Sequence, residues 1–139
     1  MILLDTSVLV DALSGPRRSA PALRRAIEQG ERLLLPSLVL YEWLRGPRRP
    51  EEIAAQEALF PASVALPFGP TEAARAAQVY FALPRARGRE IDIAIAGCAL
   101  TLGARLWTLN PKDFRDLPGL ELYPGGVRGP GLGRGQWEA

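Results

Sequence analysis

Three carboxylates stand where their neighbours are apolar. Asp5 closes the run Ile2-Leu3-Leu4, Glu42 is the lone charge in Leu38-Val39-Leu40-Tyr41-Glu42-Trp43-Leu44, and Asp92 lies between Ile91 and Ile93 at the head of a segment continuing as Ala94-Ile95-Ala96. A buried carboxylate is costly by several kcal/mol unless it is paired, hydrogen-bonded or bound to a metal. Each acid has a local explanation. Asp5 could cap a helix beginning at Thr6, Asp92 sits in a first helical turn where the dipole favours negative charge, and Glu42 could pair with Arg45 or reach solvent. Brought together, with no lysine or histidine beside them, they repel one another unless a divalent cation sits among them. Ligands made of oxygen alone suit Mg²⁺ or Mn²⁺, and the matching chemistry is metal-assisted phosphodiester hydrolysis, in which the ion polarises the phosphate and activates a water.

Other chemistries are excluded by composition. The chain contains no histidine, which removes Ser-His-Asp triads, Cys-His pairs and imidazole-liganded zinc. Its single cysteine, Cys98, can form neither an internal disulfide nor a thiolate zinc site, and reads as a small core filler.

The elements that must position the acids follow from period and punctuation. Ile2–Leu4 reads as a strand running into a helix from Thr6, which Gly15-Pro16 breaks; a second helix passes through Leu23 and Ile27 and closes at Gly30. Leu33–Leu35 reads as a strand, Leu38–Leu44 as a helix stopped by Gly46-Pro47, and Glu51–Leu59 as another helix. Val64–Leu66 is a third strand candidate. A long Ala-rich helix runs from a cap at Thr71 to Leu83, where Pro84 ends it, and Glu90–Leu102 is a helix closed by Gly103. Leu106–Leu109 is a fourth strand, Pro111–Phe114 a helical turn and Leu120–Leu122 a last strand. Helices alternating with short apolar strands that lack clean alternation predict an α/β domain with a mostly parallel sheet covered on both faces. In such a sheet the carboxyl ends of the strands line one ligand-binding edge. Asp5 belongs there, Asn110 joins it if its strand is parallel, and the helices bearing Glu42 and Asp92 begin after turns that can reach it.

At 139 residues, 47% hydrophobic and 23% charged, the chain fits one soluble domain. That domain is expected over residues 1–123, with 124–139 a Gly/Pro-rich tail too poor in apolar area to order itself and carrying Trp137, either incidental or an anchor. No apolar run is long enough to span a membrane, and the first residues lack the basic region of a signal peptide, so a cytoplasmic location is expected. The net charge is +2 and Lys112 is the only lysine, so the positive charge is almost wholly arginine. Much of that reflects a composition rich in Ala, Arg, Gly, Leu and Pro.

The motifs Asp5-Thr6-Ser7, Tyr41-Glu42, Asp92-Ile93-Ala94-Ile95-Ala96 and Thr108-Leu109-Asn110-Pro111-Lys112-Asp113-Phe114 occur in this order from Met1 to about Leu122. Together they resemble the PIN-domain family, in particular its VapC toxins. The resemblance implies a Rossmann-like three-layer sandwich and a Mg²⁺- or Mn²⁺-dependent endoribonuclease, usually a homodimer and held inactive by a cognate antitoxin. It implies that Asp5, Glu42 and Asp92 hold the metal. The fourth acidic position falls on Asn110, one charge short, with Asp113 able to supply it from the next turn. Thr6, Ser7 and Thr108 match polar positions around the site, where they would orient Asp5 or a metal-bound water; capping and strand-end satisfaction are their alternative roles.

For the RNA substrate, Arg45, Arg48 and Arg49 follow the Glu42 helix, and Arg85, Arg87 and Arg89 precede Asp92. Both clusters are placed for phosphate contact, although two solvated basic loops would look the same in sequence. Two rivals stand. An aspartate-based phosphatase or phosphoacceptor would want a second acid near Asp5, where Ser7 stands instead, or an acidic pair before it. A binding module with decayed chemistry would keep the fold, and Asn110 leaves that reading open.

Overall fold

A computed structural model of the chain describes residues 1–125; the expected tail from 126 onward, Trp137 included, lies outside the described residues. The first strand, β1 (Ile2–Leu4), consists of three apolar residues with no exposed surface. Successive side chains of a strand point to opposite faces, so this uninterrupted burial means that both faces of the sheet are covered. Two parallel neighbours flank β1. Ile2 lies opposite Leu33 of β2 (Leu33–Leu34) on one side and opposite Arg105 of β3 (Arg105–Trp107) on the other, giving the order β2-β1-β3. The chain winds to one side of β1 first and returns on the other, making the carboxyl end of β1 the switch point of the sheet.

Between β1 and β2 run α1 (Thr6–Leu13) and α2 (Ala20–Glu28). Their junction is held by a buried acid: Asp11 accepts hydrogen bonds from the Ser19 amide at 2.8 Å and the Ser19 hydroxyl at 2.6 Å. After β2 come α3 (Ser37–Arg45), α4 (Pro50–Leu59), α5 (Pro70–Ala82) and α6 (Glu90–Leu102). The centre of α6 is the most enclosed part of the helical layer, with Ile93 and Ile95 through Ala99 all buried. There α5 and α6 touch through their smallest residues. A Cβ on Gly97 would lie 2.9 Å from the Ala76 Cβ and 3.1 Å from its backbone nitrogen. Cys98 packs in the same layer, where burial pushes its thiol up to about 11, so it is unreactive filler as expected.

Two expected strands are reduced to single bridges. Val64 is drawn into a short 3₁₀ turn, Ala62–Val64, behind Pro61, and only Leu66 pairs, in an isolated bridge to Pro36 just past β2, its amide donating to Leu35 O at 2.9 Å. Pro67, which has no amide, follows at once. Leu122 likewise forms one bridge to Leu106, between Gly119 at φ 78° and Pro124. The long helix begins one residue before the expected cap at Thr71. Gly69 is the cap, Pro70 takes the first helical position, and the Glu72 carboxylate accepts the Gly69 amide at 3.0 Å. Gly103 ends α6 in the left-handed conformation, as its place in the sequence predicts. Among the described residues no helix is long and apolar enough to cross a membrane.

Candidate functional site at the carboxyl edge of the sheet

Asp5 follows β1 directly, and its amide continues the ladder by donating to Trp107 O at 2.9 Å. The residue occupies the N-cap position of α1, yet its side chain makes no capping bond. Instead, Oδ2 accepts the hydroxyls of Thr108 at 2.7 Å and Ser7 at 2.9 Å. Those hydroxyls are fixed in turn, because Ser7 Oγ accepts the Leu109 amide and Thr108 Oγ1 the Asn110 amide, each at 3.0 Å. A buried carboxylate is thus aimed by two side chains that the backbone after β3 locks in place. Burial raises the pKa of Asp5 despite these bonds, and the Glu42 charge adds to the rise.

Glu42 reaches the same edge from α3. Thr6, at the start of α1, donates to its Oε1 at 2.5 Å, while Arg45 Nη2 stands 3.9 Å from Oε2. That distance describes a loose pair, and the Arg45 side chain is 62% exposed. The helix is not apolar all round in its burial. Val39 and Trp43 are buried while Tyr41 and Leu44 are exposed, and Glu42 sits at the boundary between the two faces.

Asp92 enters from the first turn of α6, half-buried. Its pKa climbs to about 6, chiefly through burial, then through repulsion from Asp5, Asp113 and Glu42, with Arg89 opposing. Four acids from four separate segments therefore share one electrostatic neighbourhood. Asn110 and Asp113 are both exposed, in and beside the 3₁₀ turn Pro111–Asp113 that also carries the exposed Lys112. Asp113 acts on Asp92 through its charge; the Asn110 amide anchors Thr108. Among the described residues no three carboxylate, thiol or imidazole side chains already form a group able to hold a metal. The acids are neighbours in charge without being a preassembled cage. Their hard oxygen donors, their mutual repulsion and the raised pKa values of Asp5 and Asp92 nonetheless suit a divalent cation.

The arginines divide into two kinds. Arg85 and Arg87 are exposed at the approach to α6. Arg48 is turned back onto the protein, stacked 4.3 Å from the Trp43 ring centre with Nε donating to Trp43 O, and Arg49 faces Glu51 and Glu52. Arg89, placed among the phosphate contacts by its position in sequence, is engaged internally. Its guanidinium meets the Asp116 carboxylate at 2.7 and 2.9 Å and donates to the carbonyls of Arg85 and Asp113. Asp116 had no signal in the sequence, being one more acid in a polar turn.

The PIN domain model matches residues 2–120, nearly all of the described chain. The chain belongs to the PIN-domain family. Among PIN-domain relatives it is 35% identical to "Ribonuclease VapC19" of Mycobacterium tuberculosis, over 87% of this chain and 98% of that protein. A DNA-bound VapBC from Salmonella typhimurium shares the fold with TM-score 0.72 at 23% identity, covering 88% of this chain and 96% of that one. A toxin-antitoxin complex from Klebsiella pneumoniae is similar at TM-score 0.66 and 25% identity, covering 86% and 95%. The predicted α/β architecture with a parallel PIN-type sheet is thereby confirmed.

Proposed function

We propose that this PIN-domain protein is a Mg²⁺- or Mn²⁺-dependent endoribonuclease, the toxin of a toxin–antitoxin pair. The observation that carries the proposal is the meeting of Asp5, Glu42, Asp92 and Asp113 in one electrostatic neighbourhood at the switch point of the sheet. The name of the Mycobacterium relative supports ribonuclease chemistry. The VapBC and toxin-antitoxin complexes among its structural neighbours support a cognate antitoxin as the inhibiting partner. Action as a cytoplasmic homodimer belongs to the same proposal.

Asp5, Glu42 and Asp92 would hold the cation, with Asn110 or Asp113 completing its shell. A cation held there would offset phosphate charge and favour ionisation of an attacking water. Ser7 and Thr108 keep Asp5 aimed at the edge, and Thr6 does the same for Glu42. Arg85 and Arg87, exposed beside α6, and Arg45 beyond Glu42 are placed to receive phosphates. The test compares cleavage of mixed RNA in Mg²⁺ and in EDTA by the wild type, Asp5→Asn and Asp92→Asn. Cleavage is expected only for the wild type with metal; retained cleavage by both purified variants would falsify the assignment. A binding module without chemistry is the competing reading, favoured by the lack of a preassembled ligand group among the described residues, and it predicts RNA bound but uncut.

A further inference from the structure

Arg89 is the last residue before α6, and its carbonyl accepts the helix's first hydrogen bond, from the Ile93 amide at 2.9 Å. Its guanidinium faces the other way. Nη1 donates to Arg85 O at 2.8 Å and to Asp116 Oδ2 at 2.9 Å; Nη2 donates to Asp113 O at 2.9 Å and to Asp116 Oδ1 at 2.7 Å. One side chain thus ties the loop leading into α6, whose first turn carries Asp92, to the segment after β3, which carries Asp113. Sequence alone does not pair them, since Arg89 and Asp116 are 27 positions apart. A planar fork using four hydrogen bonds inside the protein has little left to offer a phosphate.

We infer that Arg89, clamped by Asp116, is a positioning residue that sets the spacing between Asp92 and Asp113, and is not an RNA contact. Asp116 is half exposed, and ion pairs in such places contribute little to global stability. The effect therefore belongs to local geometry, where displacements on the ångström scale matter most to catalysis. Asp116 is the informative position, because it is no part of the acidic site and its removal leaves the Arg89 charge in place.

The experiment uses the full chain as wild type, Asp116→Ala and Arg89→Gln, with steady-state RNA cleavage at several salt concentrations and amide hydrogen exchange without RNA. Both variants are expected to lose about 10- to 100-fold in kcat with KM little changed, as when a group that orients a metal ligand is removed. Exchange at the Ile93, Asp113 and Phe114 amides should quicken by about tenfold while the β1 amides stay protected. The clamp is overturned if Asp116→Ala cleaves and exchanges like the wild type. It is equally overturned if Arg89→Gln acts through a raised KM and a flatter salt dependence, the mark of a lost phosphate contact. The kinetic readout rests on the nuclease proposal and the exchange readout does not. Were the wild type to cut no RNA, the nuclease proposal would fall, and unchanged exchange in Asp116→Ala would overturn the clamp while quickened exchange would uphold it.

Discussion

Asp92 shows how much a single carboxylate can reveal about its surroundings. Its folded pKa of about 6 stands above the ordinary 3.8, so between those values the folded protein keeps a proton that the unfolded chain has released. Stability from this group therefore falls as pH rises from about 4 to about 6, the opposite of a salt-bridged acid. Asp92→Asn removes the repulsion. Thermal melts should show the variant as stable as the wild type or more so at pH 7, with the difference vanishing near pH 4; a variant that melts lower at neutral pH contradicts this. Asp5 is balanced differently, because hydroxyls oppose its burial. Thr108→Val deletes the donor at 2.7 Å and is expected to lower stability by about 1.5–3 kcal/mol, the usual range for a hydrogen bond to a charged group, as measured by urea unfolding. Asp5, Glu42 and Asp92 were all legible as out of place among apolar neighbours. The resemblance also pointed to Ser7 and Thr108 as orienting Asp5, which they do; that Thr6 holds Glu42 instead, 36 positions away, had no local signal.

At the scale of elements, the sequence spoke clearly where a signal was local. The run before Asp5, the Pro and Gly breaks around α3, and the glycine closing α6 all set boundaries that the structure keeps within a residue or two. It failed where an element depends on distant pairing. Val64–Leu66 and Leu120–Leu122 have strand-like composition, but prolines and a left-handed glycine beside them leave one bridge apiece. The contact between α5 and α6 was equally silent, since Gly97 looked like one more small residue in an apolar helix. Gly97→Val should cost about 1–3 kcal/mol by forcing the two helices apart at Ala76, read as a lower urea midpoint with an unchanged slope. Because α6 carries Asp92, the same variant should also weaken cation binding; full retention of that binding would show that the site tolerates movement of the helix.

The whole molecule gathers acids from the residue after β1, from α3, from α6 and from the turn after β3, so the cost of bringing like charges together is built into folding. A cation that binds the folded state returns stability by mass action, about 2.7 kcal/mol at a hundredfold excess over its dissociation constant. Mg²⁺ should therefore raise the melting temperature at pH 7, EDTA should reverse the gain, and the gain should shrink at pH 5, where protons compete for Asp92. An identical shift in Asp92→Asn would place the ion elsewhere. The solitary lysine has a practical consequence at this scale. Lys112 is exposed in the turn between Asn110 and Asp113, so, with the Met1 amine blocked, an amine-reactive fluorophore has one side-chain address in the protein, at the rim of the acidic edge. Its emission offers a direct optical signal for arriving polyanions, with no engineered handle.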